Sequence, residues 1–249
     1  MVDRFRLIYL KSPKIEDSLS EEHFLGEKEE KKDFKISKTS KEYYNESYSF
    51  EIILNQAKAD LKHPDPKVRI LAVRFLSKCE PSIAIPFLVG ILNDEASDIR
   101  AYALDALIRF KAPNILNIIR KFLKDNDPEV RITALRGIFQ MAEHIELNLL
   151  MQFLDDESPI VRKKLATLLG WTQIKGVLPI LVELVKDKDS KVRKAALSSL
   201  ITQYPEEGEE KILEAIADPD PDLRFWAKEM MEKILKKPIK REKIFISNN

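Results

Sequence analysis

Arginine recurs along this chain at a constant interval of 31 residues. The six positions are Arg69, Arg100, Arg131, Arg162, Arg193 and Arg224. A fixed period of about 20 to 50 residues is typical of repeat proteins, in which each unit is one supersecondary element that stacks on its neighbours. The period therefore predicts how the chain is built and what kind of surface it presents, but it does not identify the partner of that surface.

The residues around each arginine predict an amphipathic helix, which we call helix B. Positions −1, +3 and +7 relative to the arginine are small or apolar in all six units, and these offsets share one side of an α-helix. Four residues before the arginine stands a preferred N-cap residue in five units, often followed by proline at the first helical position. The predicted N-caps are Asp65, Asp127, Ser158, Asp189 and Asp220. The second unit has Ala96 there, followed by Ser97, so we expect its cap to be shifted or weaker.

A second helix, helix A, is predicted before each N-cap. Its apolar positions also recur with the repeat, and in five units an aspartate closes it six residues before the arginine. These aspartates are Asp94, Asp125, Asp156, Asp187 and Asp218, and His63 takes the place in the first unit. One repeat is therefore helix A, a tight turn, helix B and a short link. Pro86 and Pro179 occupy equivalent places, and we expect both near the start of a helix A, where proline does least damage.

These patterns resemble HEAT repeats, in particular the short class named for phycobilisome lyases. The segment Asp125 to Ile138 (DNDPEVRITALRGI) closely follows the motif D-x-[DS]-P-x-V-R-x-x-A-x-x-A-L of that class. The resemblance covers about residues 49–237 and implies an all-α fold, a right-handed α-solenoid of about six HEAT-like helical hairpins. It also implies that the closing aspartates and the repeated arginines form a structural ladder along the stack, each aspartate meeting an arginine of its own or an adjoining repeat.

The two ends of the chain do not follow the repeat. Residues 1–48 form a highly charged segment, which we expect to be a flexible extension. Its apolar patch Phe5 to Leu10 could alternatively be a short binding motif. Residues 238–249 form a basic C-terminal tail, whose charge suits either a helix C-terminus or an acidic partner.

The composition argues against several functional classes. Lys and Arg number 42 against 41 Asp and Glu, so nucleic acid is an improbable partner for the protein as a whole. Three scattered histidines form no metal-binding motif and there is no phosphate-binding loop, so we expect neither a metal nor a cofactor. The single cysteine, Cys79, is expected to be packed rather than reactive. Without a signal peptide or an apolar run of membrane-spanning length, a cytoplasmic protein with no membrane partner is expected.

The partner-binding surface is predicted on the B helices, which line the concave face of HEAT arrays. With the core at −1, +3 and +7, positions +1, +5 and +8 should face away from it. These positions and their flanking residues give the candidate set Ile70, Arg74, Tyr102, Asp105, Ile108, Arg109, Ile132, Arg136, Phe139, Lys163, Lys164, Trp171 and Lys194. Apolar residues in the first three units, followed by lysines in the next two, would suit an amphipathic and partly acidic peptide or helix. For Ile108 and Phe139, packing between repeats is an equal alternative.

The sequence thus favours a non-catalytic scaffold or adaptor that binds a protein or peptide. Two alternatives stay open. The family resemblance alone suggests a phycobilin lyase-like subunit, and Lys163, Lys164 and Lys194 together with the tail could bind nucleic acid. The apolar residues of the last helix, Phe225, Trp226, Met230 and Met231, could be covered by the tail or form a homodimer contact. The oligomeric state and the identity of the partner are not determined by the sequence.

Overall fold

The computed structural model describes residues 46–172 and 174–235, with side chains from Phe50 onward. The predicted extension up to residue 45, its Phe5 to Leu10 patch and the basic tail 238–249 lie outside the described residues. Helix formation begins at Glu46, slightly before the predicted array boundary at residue 49.

The described residues form twelve α-helices and no strand. In chain order these are α1 Glu46–Asp60, α2 Pro66–Leu76, α3 Pro81–Gly90, α4 Ser97–Arg109, α5 Ile115–Phe122, α6 Pro128–Met141, α7 Leu147–Met151, α8 Pro159–Gly170, α9 Leu178–Leu184, α10 Ser190–Gln203, α11 Pro205–Ala215 and α12 Pro221–Leu235. Odd-numbered helices are the predicted A helices and even-numbered helices are the predicted B helices. The six helical hairpins follow the arginine period.

The chain divides into two compact units, the first ending at Ala112 and the second beginning at Pro113. Helices α1–α4 belong to the first unit and α5–α12 to the second. The repeat period gave no sign of this division, since it continues unchanged past residue 112. Locally, the link after α4 is irregular, because Lys111 (φ 51°) and Asn114 (φ 58°) both adopt the left-handed conformation. Asparagine tolerates this conformation better than lysine does.

The N-caps follow the sequence prediction at four of the five positions. The side chains of Asp65, Asp127 and Asp189 accept hydrogen bonds from N–H groups in the first turn of their helices, and Asp220 accepts one from Leu223. Ala96 makes no side-chain cap, as expected. The predicted cap was wrong for Ser158, which occupies the N-cap position of α8 without a side-chain hydrogen bond. Proline at the first position of α8 fixes the backbone there instead.

The hydrophobic core lies where the A and B helices of each unit meet. All six residues at position +3 are buried, and those at −1 and +7 are buried except Val68 and Met231. These two half-buried residues lie on the first and last B helices. The two ends of the predicted stripe are therefore its least buried points.

The last described hairpin departs from the core pattern at one position of its B helix. Leu197 of α10 packs into the core of this hairpin, in a cluster with Ile212 and Leu223. Leu197 stands at position +4, and the same position is apolar and buried in all four earlier B helices. In α12 it is Lys228, which is exposed.

Two smaller expectations concern proline and cysteine. Pro179 is the second residue of α9, as predicted, but Pro86 lies inside α3, which begins at Pro81. The prediction for Pro86 was wrong because α3 starts earlier, where the Glu80 side chain accepts a hydrogen bond from the Ser82 N–H.

Cys79 is buried as expected, and burial raises the pKa of its thiol to about 11.

Candidate protein-binding surface

The repeated arginines and aspartates form pairs between consecutive repeats, which we call the seam. In each pair the arginine Nε and Nη2 atoms donate to the two carboxylate oxygens of the aspartate 25 residues later, over 2.6–2.9 Å. The pairs are Arg69–Asp94 in the first unit and Arg131–Asp156, Arg162–Asp187 and Arg193–Asp218 in the second. This bidentate arrangement is the strongest geometry available to a guanidinium and a carboxylate.

Each seam arginine also closes its own hairpin. The Nη1 atom of Arg162 donates to the carbonyl oxygens of Asp156 and Glu157, and the other seam arginines make the same two bonds in their repeats. Arg100 and Arg224 repeat this half of the pattern. In the described part of the chain, no carboxylate pairs with Arg224.

The charged groups of the seam pairs neutralise each other. Burial by itself raises the pKa of Asp187, but hydrogen bonds from Arg162 and from the Asp189 N–H outweigh it and hold that pKa below its ordinary value. Asp94 is in the same situation, with Arg69 and the Ala96 N–H as donors. Hydrogen bonding to Asp187 raises the pKa of Arg162, so both partners stay charged. Because its side chain is only 3% exposed, Arg162 is not available to a ligand.

The consistently exposed position of the B helices is +9, where the sequence predicted +8. All six residues at +9 are exposed, namely Lys78, Arg109, Gln140, Trp171, Thr202 and Lys233. Positions +1 and +5 range from half-buried to exposed, and five of the six residues at +8 are buried or half-buried. Gly170 at this position is buried, and a Cβ there would lie 2.4 Å from the Ser199 hydroxyl oxygen of the next B helix. Ile108, also at +8, is only 3% exposed, so including it in an accessible surface was wrong.

The apolar groove predicted across the first three repeats is not formed by exposed residues. Ile70, Ile132 and Phe139 are all half-buried, and Arg136 beside them is half-buried as well. The B helices are buried over a wide arc, and in α4, for example, six of thirteen residues are buried.

In the first unit the charged candidates interact with one another. The Nη2 atom of Arg74 donates to the Tyr102 hydroxyl over 2.8 Å, and its guanidinium carbon lies 4.7 Å from the centre of the Tyr102 ring. One turn further along α4, Arg109 pairs with Asp105 over 3.1 Å. The structure thus brings these four predicted residues together in two pairs, so both cations already have partners inside the unit.

In the second unit the B helices α8 and α10 approach closely and leave a groove between them. The Ser199 hydroxyl donates to the Ala166 carbonyl over 2.8 Å, and Gln203 Nε2 donates to the carbonyls of Gly170 and Thr172. Only glycine at position 170 permits this approach. The groove has a volume of about 300 Å³ and is lined by Thr167, Gly170, Trp171, Ala195, Ser198, Ser199 and Thr202. We call it the α8–α10 groove.

The two ends of the α8–α10 groove differ in character. At one end Trp171 follows the last residue of α8, with its side chain 86% exposed. At the other end Lys163 and Lys194 stand one turn before Thr167 and Ser198, and both are exposed. Lys194 lies 5.4 Å from the centre of the Trp226 ring, and Lys164 is half-buried. The predicted residues Lys163, Trp171 and Lys194 therefore lie around one groove.

Sequence reasoning identified the ends of this groove but missed its floor. Thr202, Ala195 and Ser199 were not candidates, and neither were Thr167 and Ser198, although these two stand at position +5 of their helices. The available signal was the run of small residues at facing positions of two successive B helices, in place of the larger residues found in the earlier repeats. A second groove, of about 340 Å³, lies between the A helices α5 and α7, and Arg120 and Phe153 contribute to its lining.

The repeats of this chain match a known family model. Residues 85–157 and 147–232 match the family model described as HEAT repeats. The chain is also similar to the crystal structures of two engineered proteins: the first at 18% identity (74% of this chain, 96% of that chain, TM-score 0.47), the second at 21% (73%, 98%, 0.48). It is similar to a designed armadillo repeat protein in complex with the peptide (KR)4, at 20% identity over 72% of this chain and 98% of that chain, with a TM-score of 0.48. A search of curated protein sequences gives no match. None of the described helices is long and apolar enough to cross a membrane.

Proposed function

Because the chain belongs to the HEAT-repeat family, we propose that it is a non-catalytic scaffold that binds a protein or peptide through the exposed B-helix face of its second unit. Repeat arrays of this kind present extended surfaces built from successive helices. The working surface is the α8–α10 groove with Trp171, Lys163 and Lys194 at its ends.

The observation that carries this proposal is the exposure of Trp171. An indole that is 86% exposed contributes almost nothing to the stability of the unit, and tryptophan is enriched among residues that dominate binding energy at interfaces. It stands at the edge of a preformed groove, so a partner side chain could be buried between the indole and the groove floor.

The other charged side chains support the same location. The seam arginines are saturated by aspartates and carbonyls, and Arg74 and Arg109 of the first unit are paired with Tyr102 and Asp105. Lys163 and Lys194 make no ion pair with any described carboxylate. Lys194 lies 5.4 Å from the centre of the Trp226 ring, an interaction of the same kind as that of Arg74 with Tyr102, so Lys163 is the less engaged of the two groove lysines.

The proposal is tested by affinity purification from a lysate of the source cells, with wild type compared with Trp171→Ala. Met151→Ala is the matched control, because Met151 is a similarly apolar residue, 47% exposed, on an A helix. Both variants should keep the helical circular dichroism of the wild type. We expect a protein partner to be lost with Trp171→Ala and retained with Met151→Ala. A partner retained equally by all three proteins would overturn this assignment of the surface.

Nucleic-acid binding is the second candidate, and Lys163, Lys164 and Lys194 around an exposed tryptophan favour it. If the chain binds nucleic acid, it should be retained on heparin or single-stranded DNA. This retention should fall steeply with salt and be lost in a Lys163→Gln, Lys194→Gln variant.

The resemblance to phycobilisome lyase repeats suggests a lyase-like subunit. The test of this alternative is visible absorbance from a bound tetrapyrrole in the purified protein.

A further inference from the structure

The chemistry of the α8–α10 groove narrows the class of its partner, and this inference rests on the proposed function. We propose that the groove binds an extended acidic peptide segment, with aspartate or glutamate side chains at Lys163 and Lys194 and a bulky apolar side chain against Trp171. Charge, hydrogen-bonding capacity and length each support this assignment.

The two helices that form the groove carry positive charge only. Helices α8 and α10 contain no aspartate or glutamate. Their arginines, Arg162 and Arg193, are neutralised by Asp187 and Asp218 in the seam. Lys163 and Lys194 are both exposed, and no described carboxylate pairs with either. A partner that brings carboxylates to this end of the groove therefore gains attraction that the protein itself leaves unused.

Two accessible hydroxyl groups of the groove are oriented as acceptors. Thr167 donates its hydroxyl proton to the Lys163 carbonyl over 3.0 Å, and Thr202 donates its proton to the Ser198 carbonyl over 2.8 Å. Each of these two oxygens keeps a free lone pair, so both can accept hydrogen bonds from a partner. A peptide main chain supplies such donors at nearly every residue. The Ser199 hydroxyl is buried against the Ala166 carbonyl, and the exposed Ser198 hydroxyl can donate as well as accept.

The Thr167 and Thr202 hydroxyls favour a peptide over a nucleic-acid backbone. Phosphodiester groups carry acceptors only, so they cannot hydrogen-bond to Thr167 or Thr202 while those protons stay on the helix carbonyls, and only Ser198 could donate to them. The lysines would attract either polymer. The floor between them and Trp171 complements a chain that has N–H groups.

The length of the groove sets the spacing of the motif. Lys163 on α8 and Trp171, which directly follows α8, are eight residues apart, which corresponds to about 12 Å along the helix axis. An extended peptide advances about 3.3 Å per residue, so about three to five residues separate its carboxylate from its apolar side chain. The expected ligand is thus a short segment with an aromatic or large aliphatic residue about three to five positions from Asp or Glu.

The test is selection of a phage-displayed library of short random peptides on the full chain. The strongest peptide is then synthesised with a fluorescent label for anisotropy measurements. We expect enriched peptides to carry this acidic and apolar spacing. Replacing their Asp and Glu by Asn and Gln, or using the Lys163→Gln, Lys194→Gln protein, should weaken binding about tenfold or more, and the loss should shrink at high salt. The control protein carries Lys62→Gln and Lys121→Gln, two exposed lysines on the A-helix side, and should bind like the wild type.

The outcomes separate this inference from the proposed function. Enriched peptides that are neutral or basic, and that bind Trp171→Ala weakly but the lysine variant normally, would overturn the acidic assignment and leave the proposed surface intact. Peptide binding that is unaffected by Trp171→Ala, or the absence of any enriched peptide, would overturn both. Binding of oligo-thymidine that depends on Trp171 and on both lysines, without peptide binding, would replace both with a nucleic-acid site.

Discussion

The seam and the α8–α10 groove use neighbouring residues for opposite purposes. Arg162 and Lys163 are adjacent in sequence, yet Arg162 is buried with four protein acceptors while Lys163 is exposed with no carboxylate partner. The same contrast recurs at Arg193 and Lys194. A rotation of about 100° per residue takes one side chain into the stack and the next out of it. Position on the helix, not charge, therefore decides which cation serves the fold and which is available to a partner.

The largest expected effect comes from breaking the seam. Arg162→Ala should lower the free energy of unfolding by about 3–5 kcal/mol, because it leaves the partly buried carboxylate of Asp187 without its guanidinium. Denaturant titration followed by circular dichroism measures this. The matched control is Arg224→Ala, which removes the same two carbonyl hydrogen bonds but no described carboxylate pair. Its cost should be about 1 kcal/mol or less for an exposed helix-end interaction. Equal losses in the two variants would mean that the aspartate pairing contributes little.

A smaller loss of stability is expected from a substitution at the close contact between α8 and α10. Gly170→Ala should destabilise the protein by about 1–3 kcal/mol, since its Cβ would lie 2.4 Å from the Ser199 hydroxyl oxygen and 3.1 Å from the Ser199 Cα. Gly90→Ala is the control, because a Cβ there meets nothing within 4 Å. It should be neutral or stabilise by up to about 1 kcal/mol. Thermal denaturation of both variants is the measurement, and a tolerated Gly170→Ala would show that α8 and α10 can separate at little cost.

Much of the fold could be predicted because one repeated pattern specifies it. The arginine period, the apolar offsets and the aspartate caps each predicted helical hairpins, and the all-helical HEAT-like fold is confirmed. The division after Ala112 could not be predicted, because the period passes through it without a change. Pro86 was misplaced because the start of α3 depends on the Glu80 cap, which has no counterpart in the repeat pattern.

The candidate surface was only partly predictable, for a geometric reason. Spacing on one helix identifies the side away from the core, but how neighbouring helices cover its margins depends on how closely they approach. That approach depends on pairs such as Gly170 and Ser199, which lie on different helices. The sequence therefore placed position +8 on the exposed face, although Ile108 at this position is buried. Position +9, which is exposed, was not recognised as part of that face, and its residues Trp171 and Arg109 entered the candidate set only as flanking residues.

Acidification should weaken the seam. The pKa values of Asp94 and Asp187 are lowered in the folded state, so their contribution to stability is present above the unfolded value of about 3.9 and is lost as pH falls through the folded pKa. We expect the denaturation midpoint to be flat near neutral pH and to fall below about pH 4. Part of that fall should be absent in Arg162→Ala, where Asp187 has lost the partner that lowers its pKa. An identical acid profile in wild type and variant would argue against this linkage.

The smallest expected effects are those of the groove lysines on stability. Lys163→Gln should change the free energy of unfolding by less than about 0.5 kcal/mol, because the side chain is exposed and pairs with no described carboxylate. Lys194→Gln should cost slightly more, by about 0.5 kcal/mol, since its ammonium lies 5.4 Å from the centre of the Trp226 ring. The free energy of unfolding of both variants is measured by denaturant titration together with that of Arg162→Ala, so that the adjacent residues Arg162 and Lys163 are compared directly. A loss above about 1 kcal/mol for Lys163→Gln would make this lysine part of the stack. Lys163 would then not differ from the seam arginines, and its charge would not be available to a partner.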